Sequence, residues 1–260
     1  MKHESRSQLA MRILYGFVLA SFAVPIAFLI YKIVVTDRTE GAWSDAYRSR
    51  ADYVLMLVEC ILGLIVIHIP QFFTKKLKMD IPKPLYVMYI VFLYCAIFLG
   101  EVRSFYYTVP HWDDILHSCS SIMTGMFGFM VVQILNKETK TVMHLSPFFV
   151  ALFAFCFSLT IGSLWEIYEF TFDGLLGLNM QKFLLESGEP LVGRAALTDT
   201  MKDIIVDTLG ALFSSTFGYI CLKHNNGWIH DYYTRNENLS ADGDTTDDKA
   251  DRGVKHDSQG

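Results

Sequence analysis

About six runs of roughly twenty apolar residues divide this chain of 260 residues, and they settle its fold class before anything else is read. A helix rises about 1.5 Å per residue, so about twenty residues cross a hydrocarbon core of about 30 Å. In lipid, only helices and closed barrels satisfy every backbone N–H and C=O. The runs are continuous rather than alternating, which predicts an all-α, polytopic transmembrane helical bundle. The expected spans lie near 13–35, 53–73, 82–102, 114–135, 146–172 and 199–223, within a transmembrane domain of residues 1–223. Residues 224–260 are polar, with almost no large apolar side chain after Tyr233, so they cannot bury a core and are expected to be a disordered tail.

The basic start (Lys2, Arg6, Arg12) leads into an apolar run too long for a signal peptide and closed by no small-x-small cleavage site, hence an uncleaved first span. With an even span count both termini share a side. More Lys and Arg fall near the helix ends on that side, Lys75, Lys76 and Lys83 among them, which predicts a multi-pass cell-membrane protein with both termini cytoplasmic. The expected partner is the lipid bilayer. No basic stripe points to nucleic acid. The five cysteines are scattered singly through apolar segments and read as buried thiols. No nucleotide loop, HExxH or GxSxG is present, so those enzyme classes are unsupported.

The exceptions to apolarity are acids. Asp199, Asp203 and Asp207 stand at i, i+4 and i+8, advancing about 40° per step along one helix face. On insertion scales each would cost on the order of 2.5–3.5 kcal/mol at the bilayer centre, so they should face protein, water or a cation. Asp199 also suits a helix N-terminus, whereas Asp207 lies too deep for that account. Asp113 and His117 are i, i+4, and Glu166 and Glu169 are i, i+3, so each pair shares a face. With six alternating spans, the start of the fourth, the end of the fifth and the start of the sixth meet at the outer side. Glu59 falls about two turns into the second span from that side and is expected to pair with Arg103 or Arg50.

Carboxylates gathered in this way must hold protons, bind a cation or pair with Arg103, Arg194 or Lys202. The oxygen-rich set with one imidazole suits magnesium, manganese, calcium or zinc. The candidate ligands of such a divalent cation are Asp113, His117, Glu166, Asp203 and Asp207. Glu169 is the candidate general base or supporting group, and Glu59 and Asp199 are further candidates. His111, Asp114 and Asp173 read as caps or interface residues.

The pattern Asp113-x-x-x-His117, Glu166-x-x-Glu169 and Asp199-x-x-x-Asp203-x-x-x-Asp207-x-x-Gly210 resembles the YjdF-like bacterial membrane proteins and, more distantly, the VanZ-like family. Against VanZ-like proteins this chain has Asp114 for a basic residue, Glu169 for Gln and Asp207 for Asn, each a change toward negative charge. The resemblance covers the last three spans and implies a bacterial envelope protein without supplying a reaction. Three functions follow as expectations. The first is a metal-dependent membrane enzyme acting on a lipid-linked or envelope substrate, and the second is a proton- or cation-linked transporter. The third is a non-catalytic envelope scaffold or tolerance factor. Beyond His68 and Gln133 the inner halves of the spans offer little polar continuation, which favours a closed site over a path.

Overall fold

The computed structural model describes residues 6–35, 50–76, 81–138, 145–185 and 189–224. Most of the expected loops at 36–52 and 136–145, and the expected tail after His224, lie outside them. Helices follow one another as α1 (Arg6–Val35), α2 (Arg50–Val66), α3 (Ile69–Lys76), α4 (Lys83–Leu93), α5 (Phe105–Thr108), α6 (Trp112–Glu138), α7 (Pro147–Leu176) and α8 (Thr198–Lys223). Among the described residues, six helices are long and apolar enough to cross a membrane, and α2 and α3 together supply one of them. No strand occurs among these residues, only the isolated bridge Leu184–Pro190. The chain is an all-α polytopic bundle.

Local chemistry explains where the helices break. Pro70 has no N–H for the carbonyl of Val66, four residues back, and the helix divides there. The Tyr89 hydroxyl donates to that carbonyl instead, at 2.6 Å. Helix α4 continues without a break as a π-helical segment, Tyr94–Val102, whose wider turn ends with the Arg103 N–H donating to the Phe98 carbonyl. Helix α7 is capped at both ends. The Ser146 hydroxyl accepts from the Phe149 N–H ahead of Pro147, and Gly177, at φ +67°, closes the last turn onto the Asp173 carbonyl.

Helices α6, α7 and α8 form one tightly packed group, with Phe129, Val132, Val150, Ala154 and Cys221 buried between them. Helices α1, α2 and α4 form a second around Val18, Phe22, Ile67, Ile90 and Leu93. Leu85, Met123 and Met130 fill the seam. Polarity is arranged as lipid requires. Phe170 on α7 is 70% exposed, as are many apolar side chains of α8 in lesser degree, whereas Asp203 is 2% exposed. The five cysteines are all unpaired, Cys60 and Cys221 buried, Cys119 and Cys156 exposed on the helix faces.

Candidate functional site

The start of α6, the end of α7 and the start of α8 meet at one end of the bundle, which carries their acids into a common space. His117 sits at its centre. Its Nδ1 lies 3.3 Å from Asp207 Oδ1, and its Nε2 lies 3.8 Å from Asp113 Oδ1 and 4.0 Å from Glu166 Oε1. The ring is thus set with Nδ1 toward Asp207 and Nε2 toward the other acids. One ligand atom each from Asp113, His117 and Asp203 falls within a 4.8 Å set. Asp203 and Asp207 are each 2% exposed.

Glu166 is the outlier. It is 4% exposed, and both of its carboxylate oxygens are buried with no hydrogen-bond partner among the described residues. A desolvated carboxylate left in that state costs on the order of several kcal/mol. Its neighbour one turn on is differently placed, since Glu169 Oε1 accepts from the Trp165 indole N–H at 2.9 Å. The backbone of α7 comes so close to α8 that a Cβ on Gly162 would collide with the Asp207 carboxylate.

The described residues between α7 and α8 fold back over the helix ends. Asp173 is buried and fixes it, accepting from the Met180 N–H at 2.8 Å and the Gln181 N–H at 3.0 Å, and Gln181 Nε2 donates to Thr200 Oγ1. Lys182, at φ +48°, is thereby held over the acids. Its ammonium pairs with Asp113 and, at 3.4 Å, with Asp199. Burial works against that charge, but Asp113 and Asp199 outweigh it and hold the ammonium above the usual lysine range. Lys202 pairs with Asp114 at 2.6 Å, and His111 Nδ1 lies 2.8 Å from the other oxygen of Asp114.

Glu59 takes a different place from the one expected. Among the described residues no ion pair joins it to Arg50 or Arg103. It is buried, and together with Glu101, Glu169 and Tyr106 it lines a narrow cavity of about 30 Å³ that also touches Asp113 and Lys182. Tyr106 stands between helices, and burial first, then the surrounding carboxylates, push its phenol above the usual tyrosine range. On the far side of Asp113 and Lys182 a wider opening of about 270 Å³ is lined by Tyr107, His111, Trp112, Asp199 and Lys202. The structure thus brings together Asp113, His117, Glu166, Asp203 and Asp207, puts Asp199 at the rim under Lys182, and sends Glu59 and Glu169 to the adjoining cavity.

Sequence reasoning passed over Lys182, Glu101 and Tyr106 as members of the site. Glu101 carried a usable signal, an acid closing an apolar run. Lys182 and Tyr106 lie in connections with no periodicity to place them.

Residues 17–224, most of the chain, match the family model described as "Predicted membrane protein (DUF2238)". The chain belongs to the DUF2238 family. This DUF2238 protein is also similar to an uncharacterized protein of Thermotoga maritima, 31% identical over 142 residues, which is 54% of this chain and 65% of that one. The matched region therefore spans just under two thirds of that relative's length. No solved structure matches the chain.

Proposed function

We propose that this DUF2238 protein is a divalent-cation-dependent membrane enzyme acting on a lipid-linked or other envelope substrate. The observation that carries the reading is Glu166, a buried carboxylate with no hydrogen-bond partner among the described residues, facing the imidazole of His117, which shares one ligand set with Asp113 and Asp203. In this reading Asp113, His117, Asp203 and Glu166 hold the cation. Asp207, predicted from sequence as a ligand, orients His117 through Nδ1, the usual arrangement of a ligating histidine. The cation would supply Lewis acidity toward a phosphoryl or carbonyl oxygen, or toward water. Glu169, reached through the narrow cavity, serves as the proton-accepting group. Its position beside Asp113 and Lys182 supports that role.

The few hydroxyls that continue from the site into the bundle are committed to backbone carbonyls, which supports a closed site over a transport path. Ser121, Ser158, Ser214 and Ser215 are buried, and each donates to a backbone carbonyl. On the charge asymmetry of the sequence, the termini are cytoplasmic and the site opens on the outer side. The likeness of the three motifs to VanZ-like proteins supports an envelope role.

Elemental analysis and cation-dependent melting of the purified protein test the reading. A saturable divalent cation is expected, followed by turnover of a lipid-linked phosphate or other envelope precursor in its presence. Failure to bind any cation would remove the enzyme reading in favour of a proton-linked or purely scaffolding role. For orientation, single cysteines introduced into a cysteine-free background should be labelled from outside intact cells at Arg194 and not at Lys76. The reverse pattern would turn the protein over.

A further inference from the structure

The wide opening beside the acid cluster has a charge inventory that explains what it takes. Its wall carries two ammonium groups, Lys182 and Lys202, each paired with acids among the three carboxylates Asp113, Asp114 and Asp199, and the His111 ring lies against Asp114. The Trp112 indole N–H, in the same wall, is buried with no acceptor among the described residues. As it stands, the opening attracts no anion, because every cation in it is already answered.

A cation held by Asp113, His117 and Asp203 changes that balance. It takes the charge of Asp113, one of the two partners of Lys182, and repels the ammonium. The Lys182 backbone is held on both flanks: Asp173 accepts from the Met180 and Gln181 N–H groups before it, and after it the Leu184 N–H donates to Asn179 Oδ1 while the Phe183 carbonyl accepts from the Leu191 N–H. The side chain can turn into the opening, whose wall also carries Lys202 and Trp112. A tetrahedral oxyanion there accepts from both ammonium groups and lies beside Asp113, one of the candidate ligands. Lysine is a recurrent point-charge partner of phosphate.

We infer that the opening formed by Lys182, Lys202, His111 and Trp112 binds a phosphate group, and that it does so only once the neighbouring acids hold a divalent cation. This rests on the enzyme reading above and names its substrate class. Lys182 then has two positions, an internal counter-ion to Asp113 without metal and a phosphate partner with it. The two ligands help each other, since the phosphate draws away the ammonium that competes with the cation.

The test uses the full chain in phosphatidylcholine nanodiscs, with Mn²⁺ affinity read by electron paramagnetic resonance. Inorganic phosphate is added in one arm, and phosphatidic acid is included in the bilayer in the other. At least one arm is expected to tighten Mn²⁺ by about tenfold, an ordinary size for coupling between two sites. The free-phosphate arm alone would indicate a soluble ligand and the lipid arm a headgroup. Lys182→Met should bind Mn²⁺ alone at least as tightly as the wild type and lose the coupling, and Lys182→Arg should restore much of it. Coupling that survives Lys182→Met, or Mn²⁺ binding with no coupling in either arm, overturns this inference and leaves the metal site standing. A wild type that takes no Mn²⁺ overturns both.

Discussion

Two groups of buried carboxylates sit side by side in this protein, and they are built in opposite ways. Around His117, the acids come from helix faces where spacing alone aligns them, and an imidazole and an ammonium stand among them. In the adjoining cavity, Glu59, Glu101 and Glu169 arrive singly from α2, the π-helical end of the third span and α7, and line the wall with a phenol. The first group offers mixed carboxylate and imidazole donors of the kind a cation takes, and one of its acids, Glu166, has no hydrogen-bond partner among the described residues. The second has no imidazole, and no ligand set forms among its acids within the described residues. Identical side chains therefore stand in different surroundings, and the difference lies in which groups the fold delivers beside them.

The largest effect that would break this contrast is expected at the ligands. Asp203→Asn or Asp113→Asn should abolish the divalent-cation shift in melting temperature while the solubilised protein stays folded. A preserved shift in both would make the two groups equivalent. Asp207→Asn should weaken the cation by about 10- to 100-fold, the usual cost of losing the group that orients a ligating histidine, measured by titration calorimetry. An intact affinity would deny the supporting role of Asp207.

A finer distinction separates packing from site geometry. In Gly162→Ala the new methyl meets the end of the Asp207 side chain, which must move, so cation affinity should fall more than stability does. In Gly128→Ala it meets the Ala154 backbone, and the expected loss is about 1–3 kcal/mol of stability with cation affinity kept in the fraction that folds. Equal effects on affinity would mean that α7 and α8 respond as one rigid unit. Smallest of all on the cation should be Glu59→Gln and Glu169→Gln, which leave its affinity unchanged, while Glu169→Gln suppresses turnover. A cation lost with Glu59 would merge the two groups into one site.

Much of this could be read along the chain. The run lengths gave the spans, and the i, i+4 and i, i+3 spacings gave the faces of α6, α7 and α8 that carry Asp113, His117, Glu166, Asp203 and Asp207. Helical periodicity is a local property, and a membrane makes it unusually legible because each acid stands out against a continuous apolar background. Glu59 shows where that reading stops. Its residue type marked it as exceptional, but the arginines chosen as partners were selected by sequence position, and the fold turned the side chain toward two other acids.

The sequence by itself determined that the chain is a helical bundle in a membrane and that its acids gather at one end, because span length and residue spacing are fixed by backbone geometry and by the thickness of the bilayer. Tertiary structure alone decided which nitrogen of His117 faces Asp207, that Glu166 has no hydrogen-bond partner among the described residues, and that Lys182 answers Asp113. Those outcomes depend on helix rotation and on the path of an aperiodic segment, and no local pattern encodes either one.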